Sequence, residues 1–298
     1  MSGNTSGSER TGIAKMRRIA RLMMALALGA AVLGQGHGAD ARPRDRYVSL
    51  GDSFTAGPLI PVQVEPLGCL KSNRNYPNLV NAALGSLRFR DISCSGAKTD
   101  DMFAPQSVEG PDNPAQLSAL TSRTTVVTLG IGGNDIGFTE IIKNCATLNP
   151  YTTPCQDRYV NGGVDEISRR IKATAPKIAH VLNAIERRSP NARVFVVGYP
   201  QVLPDKGLGC WPSLPIAYDD VPYLRTKAKE LNGMLRTQAS NAGVGYVNTY
   251  KPSEGRSACA LPTVRWVEPL VPVNPAAPVH PNARGMAGIA GVVSTAVA

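Results

Sequence analysis

Short apolar runs alternate with longer segments of helical spacing along this chain. Five runs read as strands: Tyr47–Ser53, Leu87–Ser93, Thr124–Leu129, Arg193–Gly198 and Gly243–Asn248. Between them, Leu79, Val80, Ala83 and Leu84 fall on one face of a short helix over Tyr76–Leu84. Ile167, Ile171, Ile178, Val181, Leu182 and Ile185 do the same over Val164–Arg188, where Pro176 is expected to kink or split the helix. Pro114–Leu120 reads as another short helix, Tyr223–Ala239 as a longer one, and Asn282 is placed to cap a last helix from Ala283. The continuous run Arg-Val-Phe-Val-Val-Gly at 193–198 suits a central strand covered on both faces. Strands alternating with helices predict an α/β fold, a parallel sheet with helices on both faces. No repeat and no second domain is visible.

The regions outside this alternation are rich in proline and glycine. They are 57–75, a cysteine-containing insertion at 144–160, Tyr199–Pro222 with five prolines, and Leu261–Pro281 with six. The N-terminus has a different order. Lys15, Arg17, Arg18 and Arg21 precede the apolar run Leu22–Leu33, and Ala39-Asp40-Ala41 is a small-x-small site. That order is a secretory signal peptide over 1–41, with a single domain over 42–298. The apolar run is too short to span a bilayer, which takes about 20 residues. Arg17-Arg18 matches a twin-arginine signal poorly, so the general export route is expected.

Hydrophobic residues make up 43% of the chain and aromatic residues only 5%, so aliphatic side chains must fill the core. The formal net charge is +10, of which residues 1–41 supply three, with five Lys/Arg and two Asp/Glu. The remaining basic residues are scattered, which reads as a solvated surface. They leave room for transient contact with a lipid surface, and no basic–aromatic interleaving suggests nucleic acid. All six cysteines follow the leader, and an even count in an exported chain suggests disulfides. Six cysteines allow fifteen pairings. The working expectation is sequential pairing, Cys69 with Cys94, Cys145 with Cys155, and Cys210 with Cys259. No Cys-x-x-Cys occurs, so a zinc site is not expected.

Ser53 ends the first strand run, where open α/β sheets place their ligands. A serine hydroxyl needs a neighbouring base to act as a nucleophile. Of three histidines, His37 lies in the leader, His180 sits on an amphipathic helix, and His280 lies between two prolines in Pro278-Val-His-Pro281. His280 is therefore the best candidate base. Gly96 and Asn134 also follow strand runs, and each offers an N–H donor for an oxyanion. Asp52 and Asp135 are expected to bond to backbone turns rather than to serve as a catalytic acid. The Gly-x-Ser-x-Gly and Gly-x-Gly-x-x-Gly patterns are both absent.

Four blocks carry a resemblance. Gly51-Asp52-Ser53, Ser95-Gly96-Ala97, Gly132-Gly133-Asn134-Asp135 and His280 resemble, in order, the blocks of the SGNH (GDSL) hydrolase family of esterases and lipases. Secretion and six cysteines make the chain similar to the actinobacterial secreted branch. The resemblance implies a flavodoxin-like, three-layer α/β/α sandwich with five parallel strands and disulfide-stapled loops. It implies Ser53 as nucleophile, His280 as general acid and base, and an oxyanion hole from the Ser53 and Gly96 N–H groups and the Asn134 side chain. Many members carry an Asp three residues before the histidine, where this chain has Ala277. The backbone carbonyl of Ala277, or of a neighbour, is then expected to orient His280, with Glu268 as the other candidate.

The expected activity is cleavage of lipid or short-chain esters by a secreted monomer, without metal or cofactor. Polysaccharide deacetylation and a catalytically silent binding role are the alternatives. The proline-rich loops at 58–75, 200–222 and 261–278 are expected to wall the pocket, with Trp211 and Trp266 facing acyl chains or packing loop cores.

Overall fold

The computed structural model describes residue 1, residues 46–86 and residues 88–298. The expected signal peptide, apart from residue 1, lies outside the described residues, as do His37 and Leu87. Five parallel strands form the central sheet: β1 (Arg46–Gly51), β2 (Arg88–Asp91), β3 (Val126–Gly130), β4 (Arg193–Val197) and β5 (Gly245–Val247). Their spatial order is β2-β1-β3-β4-β5, the flavodoxin-like arrangement. The order reverses between β1 and β3, and the crevice at their carboxyl ends is the usual ligand position. The registers Ser49↔Thr128 and Gly51↔Gly130 bring the ends of these two strands level.

Alternation along the strands sends side chains to two cores. On one face, Val48, Leu50, Val127, Leu129 and Val196 pack with α5 (Glu166–Arg188) and α6 (Asp220–Asn241). On the other, Tyr47, Val126, Val197 and Val247 pack with α2 (Tyr76–Leu84) and α7 (Ala283–Val297). The shorter helices are α1 (Ser53–Ala56), α3 (Phe138–Cys145) and α4 (Pro154–Tyr159). Side-chain oxygens of Asn75, Asp165 and Asn282 cap α2, α5 and α7 by accepting first-turn N–H bonds.

Two sequence expectations change. Helix α5 runs unbroken through Pro176. The carbonyl that loses its donor there is that of Lys172, on the exposed face, where water can replace the bond. The segment Pro114–Leu120 forms only a short 3₁₀ turn over Gln116–Ala119. Gln116 is occupied in pinning β1: its Oε1 accepts the Gly51 N–H at 2.7 Å and its Nε2 donates to the Gly51 carbonyl at 2.9 Å. The disulfides are sequential: Cys69–Cys94, Cys145–Cys155 and Cys210–Cys259.

Candidate active site

Gly51 ends β1 where no side chain fits. A Cβ there would lie 2.2 Å from Thr55 Oγ1 and 2.6 Å from the Gly130 carbonyl. Asp52 follows and anchors the turn twice, donating its N–H to the Gly130 carbonyl at 2.9 Å and accepting the Phe54 N–H on Oδ1 at 2.9 Å. As the N-cap of α1, it places Ser53 in the first turn, with its N–H free of any acceptor among the described residues.

The structure brings Ser53 and His280 together across 227 residues of chain, with His280 Nε2 2.8 Å from Ser53 Oγ. His280 Nδ1 lies 2.7 Å from the Pro278 carbonyl. A proton on Nδ1 satisfies that carbonyl and leaves Nε2 to accept from the serine hydroxyl. This corrects the expectation for Ala277, whose carbonyl accepts the backbone N–H of His280 at 3.2 Å and so closes a turn. The physical reason is Val279. Its φ of 61°, unusual for a β-branched residue, turns the chain so that the Pro278 carbonyl faces the ring.

Glu268 does not reach the imidazole. It is buried and bonds to Arg265, Asn274 and Asn282, and to the N–H groups of Val273 and Asn274. Its own N–H donates to the His280 carbonyl at 2.9 Å, so it supports the loop rather than the ring. The imidazole packs against Phe54 and Phe138, with centroids 5.1 and 6.2 Å away. Burial lowers its pKa below the ordinary 6.5, and the Pro278 hydrogen bond opposes this only in part. His180 is exposed and stacks on Phe103, as its helical position suggested.

The two other blocks arrive at the same sheet edge. Gly96 adopts a φ of 81° in the turn after Cys94, and its N–H has no acceptor among the described residues. The Cys69–Cys94 bridge and the Ser95 N–H bond to the Cys69 carbonyl hold that turn. Asn134 lies beyond β3 and donates one amide hydrogen to the Ala97 carbonyl at 2.9 Å, which joins it to the glycine block. Its second amide hydrogen is uncommitted among the described residues. Asp135 accepts from the Thr99 hydroxyl at 2.5 Å and from the Thr99 N–H, the turn-bonding role expected of it.

Asp52 bonds to more than its turn. Its Oδ2 accepts the Tyr199 hydroxyl at 2.5 Å, and that hydroxyl accepts the Gly133 N–H at 2.8 Å. Burial raises the Asp52 pKa to about 7, against the lowering effect of its bonds from Tyr199 and Phe54. Sequence reasoning missed Tyr199. The available signal was its position directly after the β4 run, at the same edge as Ser53 and Asn134.

Ser53, Phe54 and Asn134 open on a cleft with about 870 Å³ of empty space, continuous with solvent. Its walls are mainly apolar: Ile136, Phe138, Ile141 and Ile142 from α3 and its approach, Ile167 from α5, Leu224 and Leu231 from α6, and Val202 and Leu203. Two cations also line it, and both have partners. The Lys227 ammonium pairs with Asp165 and Glu230, and the Arg225 guanidinium donates to the Pro204 and Gly207 carbonyls. Of the three proline-rich loops, only the one at 200–222 contributes to the wall. Neither tryptophan lines it. Trp211 donates to the Thr147 carbonyl, and Trp266 lies so close on α7 that a Cβ at Gly288 would be 2.1 Å from its ring.

Residues 49–287 match the model of the GDSL-like Lipase/Acylhydrolase family. Lipase 2 of Streptomyces coelicolor is 38% identical over 250 residues, covering 80% of this chain and 82% of that protein. Among solved structures, the extracellular lipase of Streptomyces rimosus superposes with a TM-score of 0.71 at 26% identity, covering 85% of this chain and 99% of the other. Phospholipase A1 of Streptomyces albidoflavus gives 0.71 at 25% identity, covering 86% of this chain and 100% of the other.

Proposed function

This chain belongs to the GDSL-like lipase/acylhydrolase family and is a carboxylic ester hydrolase, and from that premise we propose that Ser53 and His280 are its catalytic dyad, acting outside the cell on esters of fatty acyl chains. The observation that carries the assignment is the 2.8 Å contact between His280 Nε2 and Ser53 Oγ, with the Pro278 carbonyl behind the ring. His280 takes the serine proton as Oγ attacks the ester carbonyl. The N–H groups of Ser53 and Gly96 and the free amide hydrogen of Asn134 receive the oxyanion. His280 then gives its proton to the leaving alcohol. Water, activated by the same histidine, releases the acid and restores Ser53.

The cleft supports an acyl chain of several carbons. Its aliphatic walls suit a hydrocarbon, whereas acetyl removal from a polysaccharide would need only a small recess and polar partners for the sugar. The basic and apolar leader with its small-x-small site supports export, in keeping with the extracellular lipase among the similar structures. Contact with aggregated lipid is supported by Leu59, Val62, Leu270, Val271 and Val273. All are exposed, on segments 57–64 and 269–279 that contain no charged residue.

A panel of p-nitrophenyl esters from acetate to decanoate tests this reading. Rates are expected to rise from acetate into the medium chains. Ser53→Ala should abolish turnover, and Asn134→Ala should cost about 10²–10³ in kcat in a folded protein. Undiminished cleavage by Ser53→Ala would sink the dyad, and activity confined to acetate would sink the acyl-chain assignment.

A further inference from the structure

We propose that Tyr199 is a positioning residue for this reaction: its hydroxyl clamps the turn that carries Ser53 to the turn that carries Asn134, and so fixes where the oxyanion can form between them. The inference rests on the dyad reading above.

One oxygen holds both turns. The Tyr199 hydroxyl donates to Asp52 Oδ2 at 2.5 Å and accepts the Gly133 N–H at 2.8 Å. Asp52 immediately precedes Ser53, and Gly133 immediately precedes Asn134. Any shift of the hydroxyl therefore moves the nucleophile relative to the amide donor. The clamp is itself held on every side. Asn232 is buried, accepts the Tyr199 N–H at 2.8 Å and donates to the Tyr199 carbonyl at 3.1 Å. The Tyr199 ring meets Phe54 edge to face at a centroid distance of 5.2 Å. Gly133 has no slack, since a Cβ there would be 3.1 Å from the Tyr199 oxygen.

Asp52 is 1% exposed and Gly133 is buried, so loss of the hydroxyl leaves a buried carboxylate and a buried N–H each short of a partner. Burial and the Asp52 charge hold the Tyr199 pKa well above its ordinary value, so the hydroxyl keeps its proton and remains a donor. Tyr199 also lines the cleft, but its two hydroxyl bonds lie on the turns that carry Ser53 and Asn134. Its loss should therefore fall on the transition state, in which Ser53 and Asn134 act on one carbonyl, more than on substrate binding. Misplacement of reacting groups by 1 Å can cost about 10²-fold.

The test is Tyr199→Phe, which keeps the ring and removes both bonds. On soluble p-nitrophenyl butyrate, kcat is expected to fall about 10–100-fold while KM stays within about threefold. Because the variant strands a buried carboxylate, Tyr199→Phe/Asp52→Asn is made beside it. The double variant should regain thermal stability and remain slow. A kcat for Tyr199→Phe within threefold of the parent, or a loss carried by KM alone, overturns the proposal. So does full recovery of kcat in the double variant, which would mean that Tyr199 only offsets the Asp52 charge. If Tyr199→Phe does not fold, the kcat of the double variant decides by the same limits. Labelling of Ser53 in the parent protein by a serine-reactive phosphonate keeps the two readings apart: without labelling the dyad fails, and with it only the clamp is at issue.

Discussion

The proton on His280 is set by the ring's nearest neighbours. The Pro278 carbonyl accepts from Nδ1, so a neutral imidazole presents a lone pair at Nε2 to Ser53. A peptide carbonyl is a weaker partner for imidazolium than a carboxylate, and the packed rings of Phe54 and Phe138 disfavour the charged form further. In the proposed dyad, His280 can take the serine proton only when neutral. Its lowered pKa means that it stays neutral below pH 6.5 and that activity is lost as the pH falls through a value below that point. A kcat/KM profile on a soluble ester between about pH 4.5 and 8.5 checks this. An acid limb above pH 6.5 that persists in Asp52→Asn would contradict it. Ser53, Gly96 and Asn134 stood out in the sequence because each follows a strand run in a short motif, and His280 because two prolines flank it in its loop. The Pro278 carbonyl was not, because its direction depends on the left-handed backbone of Val279, and nothing in a Val-His-Pro sequence announces a positive φ. Tyr199 was missed for a different reason: its place after a strand run carries no motif, and its bonds reach residues 52 and 133, far away in sequence.

At the scale of elements, the loop that presents His280 is held by buried polar groups rather than by regular structure. Burial pushes the Glu268 carboxyl up, but hydrogen bonds from Asn274, Asn282 and the N–H groups of Val273 and Asn274 outweigh it and hold its pKa below 4.5. Its folded pKa is thus depressed. The stability it contributes is present above the unfolded carboxylate range and is lost as the pH falls through the folded value. Glu268→Ala should leave Arg265 buried and unpaired, at a cost of about 3–5 kcal/mol near pH 7. Urea unfolding of parent and variant should show that gap narrowing as the pH drops below about 4.5. A gap that is constant with pH would mean that the carboxylate charge does not matter. The five strands of the sheet and helices α2, α5, α6 and α7 were legible in the sequence, including the Asn282 cap, whereas α1, α3 and α4 were not. Helix α5 is not split at Pro176, because the freed carbonyl faces water, which the pattern does not show. The walls of the cleft were misassigned because loop composition does not say which loops turn toward Ser53 and which cover α7.

For the whole molecule, the strand order explains how four blocks scattered from Gly51 to His280 reach one edge of the sheet. Alternating strands and helices made the parallel sheet legible, and the level ends of β1 and β3 then place Ser53 and Asn134 on the same crevice. The uncharged segments at 57–64 and 269–279 are joined by the Ala277 N–H bond to the Pro58 carbonyl. If this surface meets lipid, Val271→Asp/Val273→Asp should lower the rate on an emulsified long-chain ester by about tenfold, since buried charge opposes apolar contact. The rate on soluble p-nitrophenyl butyrate should be unchanged. Equal rates on both substrates would remove the lipid contact and leave the chemistry untouched. The 227-residue separation of Ser53 and His280 has a further consequence. Synthesis runs from the N-terminus. A growing chain carries Ser53 early and acquires His280 late, on a segment beyond the Cys210–Cys259 bridge. Until that segment docks, Ser53 has no histidine beside it.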